Sequence, residues 1–222
     1  MNLAIIAAMD KEMRLLLPLL SGAAQITING TVFHTGTVGS HNVVIAKCGI
    51  GKVNAAIGAL TLIDTFHPDV VINSGVAGGT GAAGIMDVVV ADEVAYHDVW
   101  CGPGTVPGEA AECPPRFSCG LAKDVRRYIP EAKGGLVASG DVFVADAAVT
   151  RHILDLYPDA VAVDMESAAI AHVCFMKNVP FICIRVISDT PGAEDNMAQY
   201  ENFWEDAPAH TFSAVRTLLE NL

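Results

Sequence analysis

The sequence predicts an α/β fold in three layers, with helices flanking a central sheet that is mixed but mostly parallel. Apolar runs of strand length alternate along the chain with segments of helical periodicity, which is the order of elements in such folds. Several of the strand-length runs consist almost entirely of Val, Ile, Ala and Cys, as expected of strands covered on both faces. We expect one domain over residues 1–222.

The predicted strands are short apolar runs bounded by glycine, proline or charged residues. In chain order they are Leu3–Ala8, Val43–Cys48, Val70–Ser74, Val88–Glu93, Gly135–Ser139, Val161–Val163 and Phe181–Ile187. The last run, FICIRVI, is apolar except for one arginine, which is typical of a strand inside a parallel sheet.

The predicted helices are longer segments in which apolar residues recur three and four positions apart. They are Lys11–Leu20, Lys52–Phe66, Ala145–Leu156, Met165–Met176 and Met197–Asn221. The stretch from Asp98 to Phe117 shows neither pattern and is rich in proline and glycine. Loops of this length are often functional, although a plain surface excursion fits the same composition.

The composition is that of a folded protein of low charge density, with 52% hydrophobic and 17% charged residues. A net charge of −12 disfavours nucleic acid and anionic membrane surfaces as partners. The uncharged stretch Val70 to Met86 is glycine-rich and short for a membrane span, and no signal peptide is visible. We therefore expect a soluble, cytoplasmic protein.

The six cysteines do not have the spacing of a zinc site. Cys101, Cys113 and Cys119 share one segment with His97, but the chain has no C-x-x-C pair. The other cysteines lie in apolar runs, where free cysteine behaves as a small hydrophobe. Reduced thiols and no metal site are the expectation.

Acidic residues follow several predicted strands at the point where each strand ends. Glu12 lies in the first helical turn after the first strand, Glu166 follows the run VAVD, and Asp189 follows FICIRVIS. Ligands of open α/β sheets bind beyond the carboxyl ends of the strands. Singly each acid could complement a helix N-terminus or a turn, but together they favour a site. Asp164, which ends its strand, is expected to face elsewhere.

The glycine-rich segments do not indicate a nucleotide cofactor. GTGAAG (residues 79–84) matches G-x-G-x-x-G, but a strand pattern follows it, whereas a dinucleotide site needs a helix there. GIGKVNAA (residues 49–56) lacks the first glycine of a phosphate-binding loop. Arg185 is the only arginine within a predicted strand, and we expect it to pair with a site carboxylate.

A site rich in acids and poor in bases suits a reaction whose transition state gains positive charge. Cleavage of a glycosidic bond through an oxocarbenium-like state is such a reaction. Clustered carboxylates also raise one another's pKa, which allows one of them to act as an acid near neutral pH.

The chain resembles the 5′-methylthioadenosine/S-adenosylhomocysteine nucleosidases of the nucleoside phosphorylase superfamily. The resemblance lies in IIAAMDKEM, GIGKVNAA, NSGVAGG, VVVADEVAYHD, SGDVFV, VAVDMESAAIAHVC and RVISD, which occur in the family's order between residues 5 and 189. It implies a hydrolase that splits methylthioadenosine, S-adenosylhomocysteine and 5′-deoxyadenosine into adenine and a 5-substituted ribose. It also implies a homodimer that needs neither metal nor cofactor.

The same resemblance implies the role of each site residue. Glu12 corresponds to the general base that activates water, and Asp189 to the acid that protonates adenine N7. Ser188 corresponds to the residue that orients this acid. The remaining matches concern the ribose (Met165, Glu166), the base (Phe143, Val144, and the backbone of Val76) and the water pocket (Ala8, Gly78).

The segment after YHD departs from the family pattern, because Trp100 is its only aromatic residue before Phe117. Relatives often have aromatic residues there that reach the 5′ substituent, so we expect Trp100 to supply part of this contact and discrimination between 5′ groups to be weak. A futalosine hydrolase and a purine nucleoside phosphorylase are alternatives within the superfamily. A non-catalytic nucleoside-binding protein is the alternative from another class.

Overall fold

A computed structural model describes residues 1–28, 30–206 and 212–222, and within these ranges eleven strands form one sheet. The strands are β1 (Asn2–Ala7), β2 (Ser21–Ile28), β3 (Thr31–Val38), β4 (His41–Lys47), β5 (Val70–Gly79), β6 (Val88–Val90), β7 (Glu93–Tyr96), β8 (Phe117–Ser118), β9 (Leu136–Ser139), β10 (Ala160–Asp164) and β11 (Phe181–Asp189).

The helices are α1 (Asp10–Leu16), α2 (Lys52–Phe66), α3 (Ala122–Tyr128), α4 (Ala147–Leu156), α5 (Ser167–Lys177), α6 (Asn196–Asp206) and α7 (Ser213–Asn221). A 3₁₀ turn, Leu17–Leu19, follows α1. Across the described ranges, no helix combines the length and the apolar character needed to cross a membrane.

The centre of the sheet is parallel and its margins are antiparallel. Strands β4, β1, β5 and β11 run side by side in parallel, in that order. The hairpin β2–β3 extends one edge beyond β4, and β6 pairs antiparallel with β11. At its far end β5 also pairs antiparallel with β10, which continues into the parallel strands β9 and β7. The prediction of a mixed α/β fold with helices flanking the sheet is confirmed.

The central strands are apolar because they are covered on both faces, as their sequences predicted. Every residue of β11 is buried, and β5 is buried except for Val76. Helix α2 packs against β1, β4 and α5. Its Gly58 is needed for this packing, since a Cβ there would lie 2.6 Å from the Cβ of Cys48.

Every predicted strand corresponds to strand residues in the structure, mostly within one or two residues at each end, and two of them differ more. Strand β5 continues to Gly79 instead of ending at Ser74, because β11 and β10 both provide partners for its glycine-rich end. The predicted strand Val88–Glu93 is two strands, of which β6 pairs with β11 and β7 with β9.

The sequence prediction missed the hairpin of β2 and β3. Its first strand is almost entirely exposed, so it lacks the alternation of apolar and polar residues that a half-buried strand shows. The usable signal was the Asn-Gly pair between the two strands, a combination that favours tight hairpin turns. Helix α3 and the short strand β8 were also missed.

The structure has helices at the predicted positions. Where their ends differ from the predicted ends, the local sequence or backbone conformation explains the difference. Helix α2 has the predicted bounds. Helix α1 stops before Pro18, and α5 begins only after Glu166, whose φ of −133° is not helical. The single helix predicted over Met197–Asn221 is two helices, α6 and α7, of which α7 begins after the non-helical Phe212; residues 207–211 lie outside the described residues.

The segment from Asp98 to Phe117 is tied to the rest of the protein at its middle. The hydroxyl of Tyr157 donates to the carbonyl oxygens of Tyr96 at 2.9 Å and Pro107 at 3.3 Å. Gly108 lies against this hydroxyl with a φ of 85°, so a side chain there would collide with Tyr157. The segment is therefore an anchored excursion, packed against β7 and α4.

Candidate active site

A cavity lies at the carboxyl ends of β1, β5, β10 and β11, and its volume is about 620 Å³ including its opening to solvent. Its lining comprises Ala8, Met9, Glu12, Ile50, Val76, Ala77, Gly78, Val142, Phe143, Val144, Val163, Asp164, Met165, Glu166, Ser188, Asp189 and Tyr200. All of the predicted site residues are among them except Arg185 and Trp100. Its lining is mostly apolar with a few convergent polar groups, as is typical of a small-molecule site.

Glu12 is held rigidly at the start of α1, where it is only 2% exposed. Its Oε2 accepts from the backbone N–H groups of Ala8 at 2.8 Å and Met9 at 2.9 Å, and its Oε1 accepts from Val76 N–H at 3.1 Å. Burial raises the pKa of Glu12 above its usual range, while the charge of Arg185 and the N–H donors oppose this rise.

Gly75 separates Glu12 from Arg185. A Cβ at this position would lie 2.5 Å from Oε1 of Glu12 and 2.7 Å from a terminal guanidinium nitrogen of Arg185. Glycine is therefore required, because any side chain would displace one of the two charged groups. The two charged groups therefore explain the glycine at this position of β5.

Arg185 lies behind the cavity wall and forms a buried ion pair with Asp164. Its Nε and Nη2 donate to Oδ2 of Asp164 at 2.9 and 2.6 Å, and Nη2 also donates to Oδ1 of Asn73 at 2.5 Å. Ser139 donates to Asp164 at 2.5 Å, and Ser167 also donates to it. Arg185 pairs with a carboxylate at the cavity, as expected, but does not itself reach the cavity. The partner is Asp164, and the expectation that Asp164 faces elsewhere is wrong, because it is one of the lining residues.

Glu166 directly precedes α5 and faces the N-terminus of α2. Its Oε1 accepts from the N–H of Gly51 at 2.9 Å. Burial, followed by the charge of Asp164, raises the pKa of Glu166 to about 7, against the opposing charge of Arg185. Since Arg185 is already engaged by Asp164, Glu166 keeps an oxygen for a ligand hydroxyl.

Asp189 ends β11 with a hydrogen-bond donor on each carboxylate oxygen. The hydroxyl of Ser188 donates to Oδ1 at 2.6 Å, and Nδ2 of Asn196 donates to Oδ2 at 2.5 Å. Burial raises the pKa of Asp189 above its usual range, and these two donors oppose the rise. The predicted orienting role of Ser188 agrees with this contact, whereas Asn196 was not predicted.

The segment that supplies Val142, Phe143 and Val144 to the cavity is fastened to the N-terminus of α2. The Lys52 N–H donates to Oδ1 of Asp141 at 2.7 Å. The Lys52 ammonium donates to both oxygens of Asp98, at 2.8 and 2.7 Å, and Oδ2 of Asp98 accepts from the Asp141 N–H at 2.9 Å. These contacts place one wall of the cavity relative to Glu166, which α2 also holds through Gly51.

Tyr200 is the main cavity residue that sequence reasoning missed. It lies on α6, where its ring meets Phe143 edge-on with centroids 5.6 Å apart, and its hydroxyl donates to the sulfur of Met9 at 3.4 Å. Prediction from strand ends considers only residues close to those ends, and Tyr200 lies farther along the chain than the strand end that supplies Asp189. The available signal was an aromatic residue on a predicted helix following a site strand. Ile50 and Val142 were missed for lack of polar character.

Trp100 lies outside the cavity, with 64% of its surface exposed. In this chain it therefore makes no contribution to the cavity wall. The cysteines are all unpaired, and in the described ranges no three His, Cys, Asp or Glu side chains are grouped to hold a metal ion.

The arrangement can supply two opposite kinds of proton chemistry. Glu12, Glu166 and Asp189 line one cavity, and burial raises the pKa of each. A carboxyl group with a raised pKa can act as an acid or a base near neutral pH. No Lys, Arg or His is among the residues that line the cavity, so its field favours a positive centre over an anion.

Comparisons with known proteins agree with this description. The family model of the phosphorylase superfamily matches residues 2–220. The 5′-methylthioadenosine/S-adenosylhomocysteine nucleosidase of Anoxybacillus flavithermus is 39% identical over 236 aligned residues, which cover 100% of this chain and 99% of that protein.

Two solved structures are similar over the whole chain. The S-adenosylhomocysteine nucleosidase of Streptococcus pyogenes, in complex with 5-methylthiotubericidin, has a TM-score of 0.95 at 33% identity, covering 100% of this chain and 97% of that one. The 5′-methylthioadenosine/S-adenosylhomocysteine nucleosidase of Colwellia psychrerythraea, in complex with adenine, has a TM-score of 0.93 at 33% identity, and the match covers 99% of this chain and 95% of that one. These similarities confirm the resemblance seen in the sequence.

Replacing Asp164 by asparagine is expected to destabilise the protein, because the guanidinium of Arg185 would stay buried without its counter-charge. The loss in free energy of unfolding should be about 3–5 kcal/mol, measured by guanidinium denaturation. Asp155→Asn, on an exposed position of α4, is the matched control and should change it by less than about 0.5 kcal/mol. Equal stability of the two variants would show that the ion pair is dispensable.

Proposed function

Since the chain belongs to the phosphorylase superfamily, and within it to the 5′-methylthioadenosine/S-adenosylhomocysteine nucleosidases, we propose that its cavity hydrolyses N-glycosidic bonds of adenine nucleosides. The substrates are methylthioadenosine, S-adenosylhomocysteine and 5′-deoxyadenosine, and the products are adenine and the 5-substituted ribose. The observation that best supports this is the grouping of Glu12, Glu166 and Asp189 around one cavity. We propose further that residues 1–222 form one catalytic domain.

Asp189 is the proposed acid for the leaving base. As the bond between C1′ and N9 breaks, its electron pair moves into the adenine ring, and a proton from Asp189 to N7 makes the departing base neutral. A raised pKa suits this step, because the acid must hold its proton until the base needs it. Phe143 and Tyr200 offer ring surfaces for the base on the same side of the cavity.

Glu12 and Glu166 are the proposed partners of water and ribose. Glu12 removes a proton from water as the water oxygen bonds to C1′, and the N–H groups that fix its carboxylate keep it aimed. Glu166 accepts hydrogen bonds from ribose hydroxyls, next to the sulfur-bearing side chain of Met165. The negative charge of these acids stabilises the oxocarbenium-like ribose. Neither metal nor cofactor takes part in the proposed steps.

The alternatives within the superfamily need a cation that the cavity wall does not offer. A phosphorylase must bind phosphate, and futalosine carries a carboxylate at its 5′ end. The described residues that line the cavity include no Lys, Arg or His, and Arg185 is engaged by Asp164. A non-catalytic nucleoside-binding protein would have no use for a rigid, buried Glu12 beside the ribose.

The decisive experiment is adenine release from methylthioadenosine in phosphate-free buffer. We expect equal rates with and without phosphate and a free reducing sugar as product. Values of kcat/KM for methylthioadenosine, S-adenosylhomocysteine and 5′-deoxyadenosine should lie within about 200-fold of one another, the scale of a few apolar contacts. Ribose 1-phosphate as product would make the protein a phosphorylase, and a preference for futalosine would reassign its substrate.

Removing either proton-transfer group should reduce turnover without unfolding the protein. Glu12→Gln and Asp189→Asn are each expected to lower kcat by at least ~10²-fold, the usual effect of losing a general acid or base. Glu166→Gln should both raise KM and lower kcat. Glu194→Gln, an exposed acid close to Asp189 in sequence, is the control and should behave as wild type. Wild-type turnover by Glu12→Gln would remove it from the mechanism.

We also propose that the enzyme is a homodimer that joins through α2. Three exposed apolar residues of this helix follow one another at spacings of four and three, and Ile50, just before the helix, continues the stripe; their exposures lie between 42% and 69%: Ile50, Val53, Ile57 and Leu60. An exposed apolar stripe of this kind is typical of an interface. Ile50 also lines the cavity, so a second copy on the stripe would stand at the cavity mouth, where the 5′ group emerges.

A charge in the middle of this stripe should separate the subunits. For Ile57→Glu we expect a monomer in sedimentation at micromolar concentration, because two-fold symmetry would bury the new charge in the interface twice. We also expect a higher KM for methylthioadenosine, because the second copy would no longer stand at the cavity mouth. Ile26→Glu, an exposed apolar position on β2, is the control and should stay dimeric. A fully active wild-type monomer would refute the dimer.

The location that we propose is the cytoplasm. Six unpaired cysteines in one chain are compatible with a reducing compartment, where thiols stay free.

A further inference from the structure

Asn196 is buried next to Asp189 with only one of its two polar atoms in use. The residue is 3% exposed and is the first residue of α6. Its Nδ2 donates to Oδ2 of Asp189, whereas its Oδ1 is buried and has no hydrogen-bond partner among the described residues. Buried amide oxygens are nearly always paired, so an unpaired one next to a group that gains and loses a proton calls for an explanation.

A side-chain amide can meet either protonation state of a carboxyl group. Its NH₂ end donates to a carboxylate, and after a half-turn its oxygen accepts from the protonated acid. We propose that Asn196 is a positioning residue for Asp189 that uses both ends of its amide in this way, a role that rests on the proposed function. Ser188 behaves similarly on the other oxygen, because a hydroxyl can donate or accept.

The catalytic cycle then uses the two amide ends in turn. In the resting enzyme the proton on Oδ2 of Asp189 is donated to Oδ1 of Asn196. When substrate binds, this proton passes to N7 while the electron pair of the glycosidic bond moves to the base. The carboxylate that remains is stabilised by Nδ2, in the arrangement that the structure shows. Asp189 regains a proton from solvent after adenine leaves.

The alternative is a purely structural role at the start of α6. This helix also places Tyr200 in the cavity. The other titratable groups that line the cavity are Glu12 on α1, Asp164 at the end of β10 and Glu166 just before α5. A structural defect would therefore disturb every substrate alike. A defect confined to Asp189 would affect only substrates whose leaving group needs a proton.

The test compares two substrates that share the 5-methylthioribosyl group. One is methylthioadenosine, and the other is the 4-nitrophenyl glycoside, whose leaving group departs as a stable anion without protonation. The variants are Asn196→Leu, close in shape but without polar atoms, and Asn196→Ala. Asn202→Ala, an exposed asparagine on the same helix, is the control, and Asp189→Asn shows the full effect of losing the acid.

For both Asn196 variants we expect kcat on methylthioadenosine to fall by ~10- to 100-fold, the scale of a hydrogen bond to a charged group. On the nitrophenyl glycoside it should stay within about threefold of wild type, as it should for Asp189→Asn. Equal losses on both substrates, or no loss on either, would overturn the inference. Failure of the proposed function shows separately, as wild-type protein that releases no adenine.

Discussion

The buried ion pair between Arg185 and Asp164 is the interaction on which the rest of the site depends. It joins the middle of β11 to the end of β10, and its further hydrogen bonds reach Asn73 on β5, Ser139 on β9 and Ser167 on α5. Two desolvated charges are tolerated only when they are paired and supported by further hydrogen bonds, and this network supplies both. The strand ends that form the cavity floor are thereby fixed relative to one another.

This pair also decides what the other acids can do. Because Asp164 engages the guanidinium, Arg185 acts on Glu12 and Glu166 only as a charge at a distance, lowering pKa values that burial raises. Gly75 provides the space in which that separation is possible. One carboxylate is thus used for structure, while Glu12, Glu166 and Asp189 stay available for chemistry in a cavity wall without cations.

The part of the site that follows directly from strand ends could be predicted from the sequence. Glu12, Glu166 and Asp189 each come within a few residues of a buried strand, and parallel strands bring such positions to one edge. Tyr200 and Asn196 could not be found in this way, because the path of the chain between β11 and α6 decides where they lie. Arg185 was expected to pair with a carboxylate of the site. Only the direction of its side chain from β11 shows that it lies behind the cavity wall and does not line the cavity.

The contact between Glu166 and the Gly51 N–H gives this molecule a built-in spectroscopic reporter. Glycine amides resonate in a well-separated region of a proton–nitrogen correlation spectrum, and this one donates to a carboxylate whose pKa is raised to about 7. The chemical shift of Gly51 should therefore follow the ionisation of Glu166 near neutral pH. Ligand occupancy of the proposed ribose subsite becomes observable at the backbone, without any label on the ligand.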